Sequence, residues 1–441
     1  MSQVRARRET RGVVGQGILE EPAPVRVGGV LHCEQVSLEA IAADVGTPTY
    51  VYSSQSITDQ YRRLSAALSP VPHRIHYSVK ANSNLGVLAH LRQLGAGVDV
   101  VSGGELHRAR MAGFRGEDIV FGGVGKTERE LAEGLAAGVL LLNVESEREL
   151  HTISALAHAR GARAPVALRV NPEVTVDTPH PYTRTGERGM KFGIPYDEVA
   201  DVARLGLTLP SVQLLGLDMH IGSQVAGTDP YRLGVLRLLE LCGELQALGA
   251  TELRFFDIGG GLAVTYGEER PADLDSFAEA VVPPIATSGL TLLIEPGRFL
   301  VGNSGLLLTR VLYRKRSGGR EYVVTDAGMN DLLRPSHYNA YHRIEAVQSR
   351  DDRITADIVG PVCETGDFFA LGRDVESVVE GDLLVIASAG AYGFVMASNY
   401  NSRPRSAEVL VSGDRYAVTR EREDYGDLTR HETVDLEWRR T

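Results

Sequence analysis

The sequence predicts an α/β protein: a (β/α)8 barrel of the TIM type joined to a second, all-β domain. Between about residues 48 and 300, short β-branched runs alternate with longer amphipathic ones. Eight strand candidates follow one another in that stretch, each with a helical segment behind it. After about residue 303 the helical rhythm gives way to short strands and glycine turns.

The strand candidates are Arg74–Val79, Val98–Val101, Asp118–Phe121 and Val139–Leu142, then Val166–Val170, Leu214–Met219, Leu253–Ile258 and Leu292–Ile294. Near-continuous apolar runs of this kind suit strands covered on both faces of a parallel sheet. Among the helices, Leu85, Leu88, Leu91 and Leu94 recur at helical spacing, and Gly95 supplies a stop. Thr127 followed by Glu130 has the capping-box pattern. A doubly wound open sheet would give the same alternation and stays open as the alternative.

Beyond the barrel, Gly305–Tyr313 and Glu321–Thr325 flank a Ser317-Gly-Gly319 turn, which is a hairpin signature. Asp382–Ile386 and Glu408–Val411 read as further strands, with a turn at Ser412-Gly-Asp414. The expected division is a barrel over 46–303 and an all-β domain built from 1–45, which contains Val25-Arg-Val27, and 304–441.

With 441 residues, 43% of them hydrophobic and 23% charged, the chain has the composition of a globular protein with a large core. Its net charge of −11 argues against nucleic acid or an anionic membrane as a partner. No apolar run approaches the ~20 residues of a membrane span. The Arg-rich N-terminus lacks the apolar core of a secretory signal; a solvated tail is the expectation, with a transit peptide as the other possibility. Cys33, Cys242 and Cys363 form no paired spacing, which excludes a disulfide framework and a cysteine zinc site and points to the reducing cytoplasm.

Three glycine-rich stretches mimic nucleotide motifs and fail on spacing. Gly122-Gly-Val-Gly-Lys-Thr127 has Val120 where a P-loop needs glycine. Gly95-Ala-Gly97 and Gly259-Gly-Gly261 meet Val100 and Val264 where a dinucleotide fingerprint needs its third glycine. No histidine spacing suggests a metal.

Position carries the functional reading. In such a barrel the C-terminal ends of the strands converge on one mouth. Those ends carry Lys80, then Asp99 and Ser102, Arg169 and Asn171, His220, the triplet Gly259, Gly260 and Gly261, and Glu295. Singly, each has a bland explanation: a solvated lysine, a hydrogen-bonded histidine, a turn. Together they suit pyridoxal 5'-phosphate. A lysine amine condenses with its aldehyde, glycines let backbone N–H groups reach its phosphate, and a carboxylate keeps its ring nitrogen protonated. An imidazole can stack on the ring face.

Tyr77-Ser-Val-Lys-Ala-Asn82, His220-Ile-Gly-Ser-Gln224, Asp257-Ile-Gly-Gly-Gly261 and Glu295-Pro-Gly-Arg298 resemble the fold-type III pyridoxal-phosphate-dependent decarboxylases. That family includes the ornithine, arginine and diaminopimelate enzymes. His180–Gly186, Lys191–Ile194, Arg334-Pro-Ser-His-Tyr338, Cys363-Glu-Thr-Gly-Asp367, Ala391-Tyr392 and Met396–Pro404 narrow the resemblance to the diaminopimelate-decarboxylating branch. It runs in order from about residue 30 to about 430.

The resemblance implies a cofactor on Lys80, His220 stacked on its ring and Glu295 facing the ring nitrogen. Ser223, Gly259 to Gly261 and the backbone of Glu295, Pro296, Gly297 and Arg298 would hold the phosphate, and Tyr392 would close the cofactor site, to which the strand-end reading adds Arg169. Arg298, Arg334, Tyr338 and Tyr392 would bind substrate, with Glu364 on its distal ammonium. Cys363 would donate a proton. Cys363 and Glu364 would come from the partner of a homodimer. His337, where relatives usually have Leu or Met, is the notable departure. The reaction implied is conversion of meso-2,6-diaminopimelate to L-lysine and CO2. A decarboxylase of a related amino acid, a racemase and an inactive relative are the competing classes; retention of Lys80, His220, Glu295 and Cys363 argues against the last.

Overall fold

The computed structural model describes residues 24–176, 178, 180, 186, 189–267 and 269–439. The basic N-terminal tail and residues 181–185 of the His180–Gly186 motif lie outside them.

Eight parallel strands form the barrel: His73–Ser78, Gly97–Val100, Ile119–Phe121, Leu141–Val144, Ala164–Asn171, Val212–Asp218, Phe255–Asp257 and Thr291–Ile294. Each pairs with the next, and the eighth returns to the first, Leu292 opposite His73 and Ile294 opposite Ile75. That last pairing excludes the open sheet, because a closed ring leaves no strand edge unpaired. All eight strand candidates correspond to these strands.

The helix stops and starts follow the local chemistry. Asn84 caps Leu85–Gln93, its Oδ1 accepting from the Gly86 and Val87 amides at 2.9 and 3.3 Å. Thr127 and Glu130 close a reciprocal capping box, and the helix Glu128–Ala137 ends on Gly138 in the left-handed region.

Strand alternation sorts the barrel interior into two levels. Val120, Leu141, Ala167, Leu215 and Leu293 make a dry apolar cluster. Toward the C-terminal ends the inward positions turn polar: Ser78, Asp99, Asn143, Asp218, Asp257 and Glu295 are all buried. The chemistry therefore sits on a packed floor rather than in a pore.

The N-terminal part of the β-rich domain runs further along the chain than the sequence division at residue 46 placed it. Thr49–Ser53, assigned there to the barrel, runs antiparallel to Gly305–Ser317 and parallel to Ala407–Ser412. All five of its residues are buried. Val51 faces one apolar cluster while Tyr50 and Tyr52 face the main core, so only a central strand of a covered sheet accommodates it. The hairpin Gly305–Ser317 to Arg320–Thr325 turns on Gly318 and Gly319, both at positive φ, the geometry a two-residue turn needs. Val25–Val27, Val30–Cys33 and Val36–Ser37 form a small meander that docks on this domain through Leu31 N–H to Val347 O at 2.9 Å and through Leu31, Cys33 and Ile41 in a shared cluster. Among the described residues no helix is long and apolar enough to cross a membrane.

Candidate active site

A cavity opens where the barrel strands end, walled by Lys80, His220, Ser223, Glu295, Arg298 and Tyr392, among others. Lys80 stands on the turn Val79–Ala81 that ends the first barrel strand. Its Nζ donates to Asp99 Oδ2 at 3.0 Å, and Ser78 Oγ donates to the same oxygen at 2.9 Å. Burial works against the Lys80 charge, but the nearby carboxylates of Asp99 and Glu295 outweigh it and hold the ammonium above its ordinary pKa.

The Gly259–Gly261 loop is shaped by contacts that no side chain could share. A Cβ on Gly260 would lie 2.2 Å from the Glu295 carbonyl oxygen, and one on Gly261 would lie 2.3 Å from that of Gly222. Gly259 and Gly261 also have φ of 66° and 103°. Asp257 Oδ1 accepts from the Gly259 amide at 2.9 Å and fixes the entry to the loop. His220 Nδ1 accepts from the Gly222 amide at 3.2 Å. Burial, then Lys80 and Arg169, push the imidazole well below its usual pKa, so it is neutral.

Behind the cavity, oxygens of Asp218, Asp257 and Glu295 lie within 4.8 Å of one another. Asp218 Oδ1, Asp257 Oδ2 and Glu295 Oε1 are buried without a hydrogen-bond partner. Burial and mutual repulsion raise all three carboxyls, Asp257 to about 7. Such a trio holds protons readily and offers an anionic face to a cation.

Arg169, expected at the cofactor, is engaged elsewhere. It donates to Glu145 Oε1 at 2.7 Å, lies 3.8 Å from Asp218 Oδ2, and is outside the cavity wall. Two carboxylates on neighbouring strands draw it back into the barrel, where it balances the trio. Lys126 of the false P-loop is likewise structural: fully buried, it pairs with Glu149 at 2.8 Å and donates to the Gly123 and Asn143 carbonyls.

On the far side of the cavity Arg298 Nη1 donates to Tyr266 Oη at 2.5 Å, and Nη2 to Ser223 Oγ at 3.3 Å. Arg334 lies over the Tyr266 ring, 4.5 Å from its centroid, and donates to His342 Nε2 at 3.1 Å. Tyr392 takes Arg298 against its ring at 4.8 Å and holds φ at 55°, an unusual conformation for a bulky residue, with its amide bonded to Ala81 O at 2.8 Å. Tyr338 is half-buried with its ring edge-on to His337 and His180, at 4.5 and 5.5 Å.

Cys363 and Glu364 are not brought into this cavity. Both are exposed, and the Cys363 amide donates to Asn401 Oδ1 at 2.8 Å. Conversely, Ser78, Tyr266 and His342 belong to the site without having been singled out from the sequence. Ser78 lay two residues before Lys80 and was open to the same strand-end reasoning; Tyr266 and His342 fall in loops, where no periodicity marks them.

A barrel whose rim gathers a lysine, a glycine loop and an orphaned carboxylate suits a pyridoxal-phosphate enzyme, and residues 54–302 match the family described as pyridoxal-dependent decarboxylase, pyridoxal binding domain. The chain is 47% identical over 409 residues to diaminopimelate decarboxylase of Pseudomonas fluorescens, covering 92% of this chain and 98% of that one. Solved structures agree: Helicobacter pylori diaminopimelate decarboxylase complexed with L-lysine (38% identity, TM-score 0.86, 89% and 98% of the two chains) and the M. jannaschii enzyme in co-complex with L-lysine (33%, 0.89, 94% and 98%). The chain belongs to the diaminopimelate decarboxylase family.

Proposed function

We propose that this chain decarboxylates meso-2,6-diaminopimelate to L-lysine and CO2 in lysine biosynthesis, with pyridoxal 5'-phosphate held on Lys80. The observation that carries the substrate reading is the Arg298–Arg334 pair. Both guanidiniums are drawn to Tyr266 beside the cavity, and among the described residues neither has a carboxylate partner. Two cations without an internal anion suit the second carboxylate of a ligand with an amino acid at each end. Ornithine and lysine lack that group and would leave both unpaired.

The residues present fit the cofactor. Glu295 Oε1 lacks a donor that a ring N–H would supply, and Gly261 lines the cavity beside Ser223, where backbone N–H groups can reach a phosphate. When bound, pyridoxal phosphate supplies an aldehyde that condenses with amines and a ring that accepts the electron pair left by departing CO2. Lys80 must give up a proton before its amine can react, and Asp99 at 3.0 Å is the nearest acceptor. Neutral His220 offers a flat face without adding a cation to the pocket. Ser223, Gly259 to Gly261 and the backbone of Glu295, Pro296, Gly297 and Arg298 bind the phosphate. Tyr392 closes the pocket, and Tyr338 joins the arginines at the distal carboxylate.

Exposure of Cys363 and Glu364 supports a homodimer in which each chain lends these two residues to its partner's cavity. Cys363 then delivers a proton to the reacting carbon, and Glu364 binds the distal ammonium. Three free thiols, at Cys33, Cys242 and Cys363, support a cytoplasmic location.

Measuring CO2 release from diaminopimelate, ornithine, lysine and arginine tests the substrate. Release from diaminopimelate alone is expected, and release from ornithine with none from diaminopimelate would overturn the reading. Mixing inactive Lys80→Ala and Cys363→Ala chains tests the shared site: subunit exchange should restore about a quarter of wild-type activity, since half the dimers are hybrid and each has one intact site. No recovery would exclude exchange of these residues between chains.

A further inference from the structure

The segment Met396–Pro404 is no part of the wall of the cavity that Lys80 lines. Its centre is the turn Tyr400–Ser402, where Asn401 and Ser402 hold φ of 56° and 53°. Left-handed backbone is unfavourable for a residue with a Cβ, so the surroundings must impose it. Both flanks are braced. Asn399 Nδ2 donates to the Arg403 carbonyl at 3.0 Å and to Glu423 Oε2 at 2.7 Å, and Arg403 Nη2 donates to the Asp326 carbonyl at 3.2 Å. Held this way, Asn401 aims its Oδ1 at the Cys363 amide, which donates to it at 2.8 Å.

The loop that carries Cys363 is clamped at its base. Asp367 Oδ1 accepts from the Met329 amide and Oδ2 from the Val362 amide, each at 2.6 Å. Gly360 packs so closely there that a Cβ on it would lie 2.4 Å from the Gly328 Cα. The tip is different: Cys363, Glu364 and Thr365 are all exposed. Asn401 reaches this tip from 38 residues further along the chain. Beside it the Tyr400 hydroxyl bonds to the Glu364 carboxylate, which raises its pKa. A hydrogen bond on an exposed tip contributes little to folding, because water satisfies the same groups. What it does is remove orientations that the tip could otherwise adopt.

We propose that Asn401 is a positioning residue: by holding the Cys363 amide it sets the tip, so that the Cys363 thiol and the Glu364 carboxylate enter the partner's cavity in one orientation. This deepens the shared site proposed above and rests on it. The thiol has to meet the reacting carbon while the neighbouring carboxylate meets the distal ammonium, so one backbone setting serves both. Misplacing a reacting group by about 1 Å costs about 10²-fold in rate. Asn401 therefore acts across the subunit boundary, on the partner's cavity and not on the cavity of its own chain.

The test adds Asn401 variants to one chain at a time of the cofactor-loaded mixed dimer. In that dimer the working cavity takes its lysine from the Cys363→Ala chain and its thiol from the Lys80→Ala chain. Asn401→Gly deletes the acceptor and tolerates the positive φ, whereas Asn401→Asp keeps an acceptor in place. Carried by the Lys80→Ala chain, Asn401→Gly should lower the restored kcat about tenfold, and Asn401→Asp should recover most of that loss. Carried by the Cys363→Ala chain, Asn401→Gly should leave the restored activity within about twofold, with mixed dimer formed in equal yield. A residue serving the fold alone would act equally in both placements. Asn401→Ala, which also lacks the acceptor, carries the test if the glycine variant does not assemble. Equal loss in both placements, no loss in either, or no recovery with Asn401→Asp would overturn the proposal. A mixed dimer already inactive before any change at Asn401 would sink the shared site itself; an active one with indifferent variants would sink this inference alone.

Discussion

The lower and upper halves of the barrel interior are built on the same strands and behave as opposites. Below, Val120, Leu141, Ala167, Leu215 and Leu293 interdigitate without a polar atom among their side chains. Above, Asp99, Asp218, Asp257 and Glu295 crowd together with Lys80 and Arg169 to balance them, and three carboxylate oxygens have no partner. A few ångströms along each strand the protein changes from a packing that favours folding to one that opposes it. The upper half is tolerated because the lower half and the surrounding helices are well packed, and the protonated ring nitrogen proposed to face Glu295 would relieve the repulsion.

That contrast can be broken from either side. The largest expected effect is in the upper half: Lys80→Ala should abolish the cofactor absorbance and lower CO2 release by about 10⁴-fold or more, while thermal unfolding of the cofactor-free protein hardly changes. Glu295→Gln comes next. It keeps the shape and removes the charge opposite the ring nitrogen, so kcat should fall about 10²–10³-fold. The cofactor-free variant should melt at the same or a higher temperature than wild type, since one member of a repelling trio has gone. In the lower half the pattern inverts. Leu293→Ala should cost about 2–5 kcal/mol of stability in denaturant unfolding, with kcat of the folded protein nearly unchanged.

The subtlest effect is on pH. Asp257 has its folded pKa raised to about 7 by burial. An acid raised in this way binds more protons folded than unfolded between its unfolded value and pH 7. It therefore lowers stability as pH climbs through that window, by about 1.4 kcal/mol per pH unit at most. Subtracting the stability–pH curve of cofactor-free Asp257→Asn from that of wild type should leave a difference that falls between about pH 4 and pH 7 and is flat below. A flat difference throughout would show that the carboxyl is not raised.

The two halves also differed in how legible they were. Apolar runs such as Val139–Leu142 announce covered strands, and all eight barrel strands were readable because burial on both faces removes polar residues from the run. The polar rim was readable for a different reason: barrel geometry gathers strand ends at one mouth, so Lys80, His220 and Glu295, which line one cavity, stood out by position. Thr49–Ser53 went to the wrong domain because a strand's own residues do not say which sheet will take it; its partners lie more than 250 residues away at Gly305–Ser317 and more than 350 away at Ala407–Ser412. Arg169 was read by position alone, and the carboxylates that claim it, Glu145 and Asp218, are visible only once their strands are adjacent. Tyr266 and His342 meet Arg298 and Arg334 from loops, where no local pattern marks them.

The chain has four lysines, and their settings differ: Lys80 at the cavity, Lys126 buried against Glu149, Lys191 and Lys315 exposed. Borohydride reduction of the cofactor-loaded enzyme, followed by peptide mass analysis, asks directly which of them holds the coenzyme. A pyridoxyl group confined to the peptide carrying Lys80 is the result expected; label on another lysine, or on none, would contradict the account.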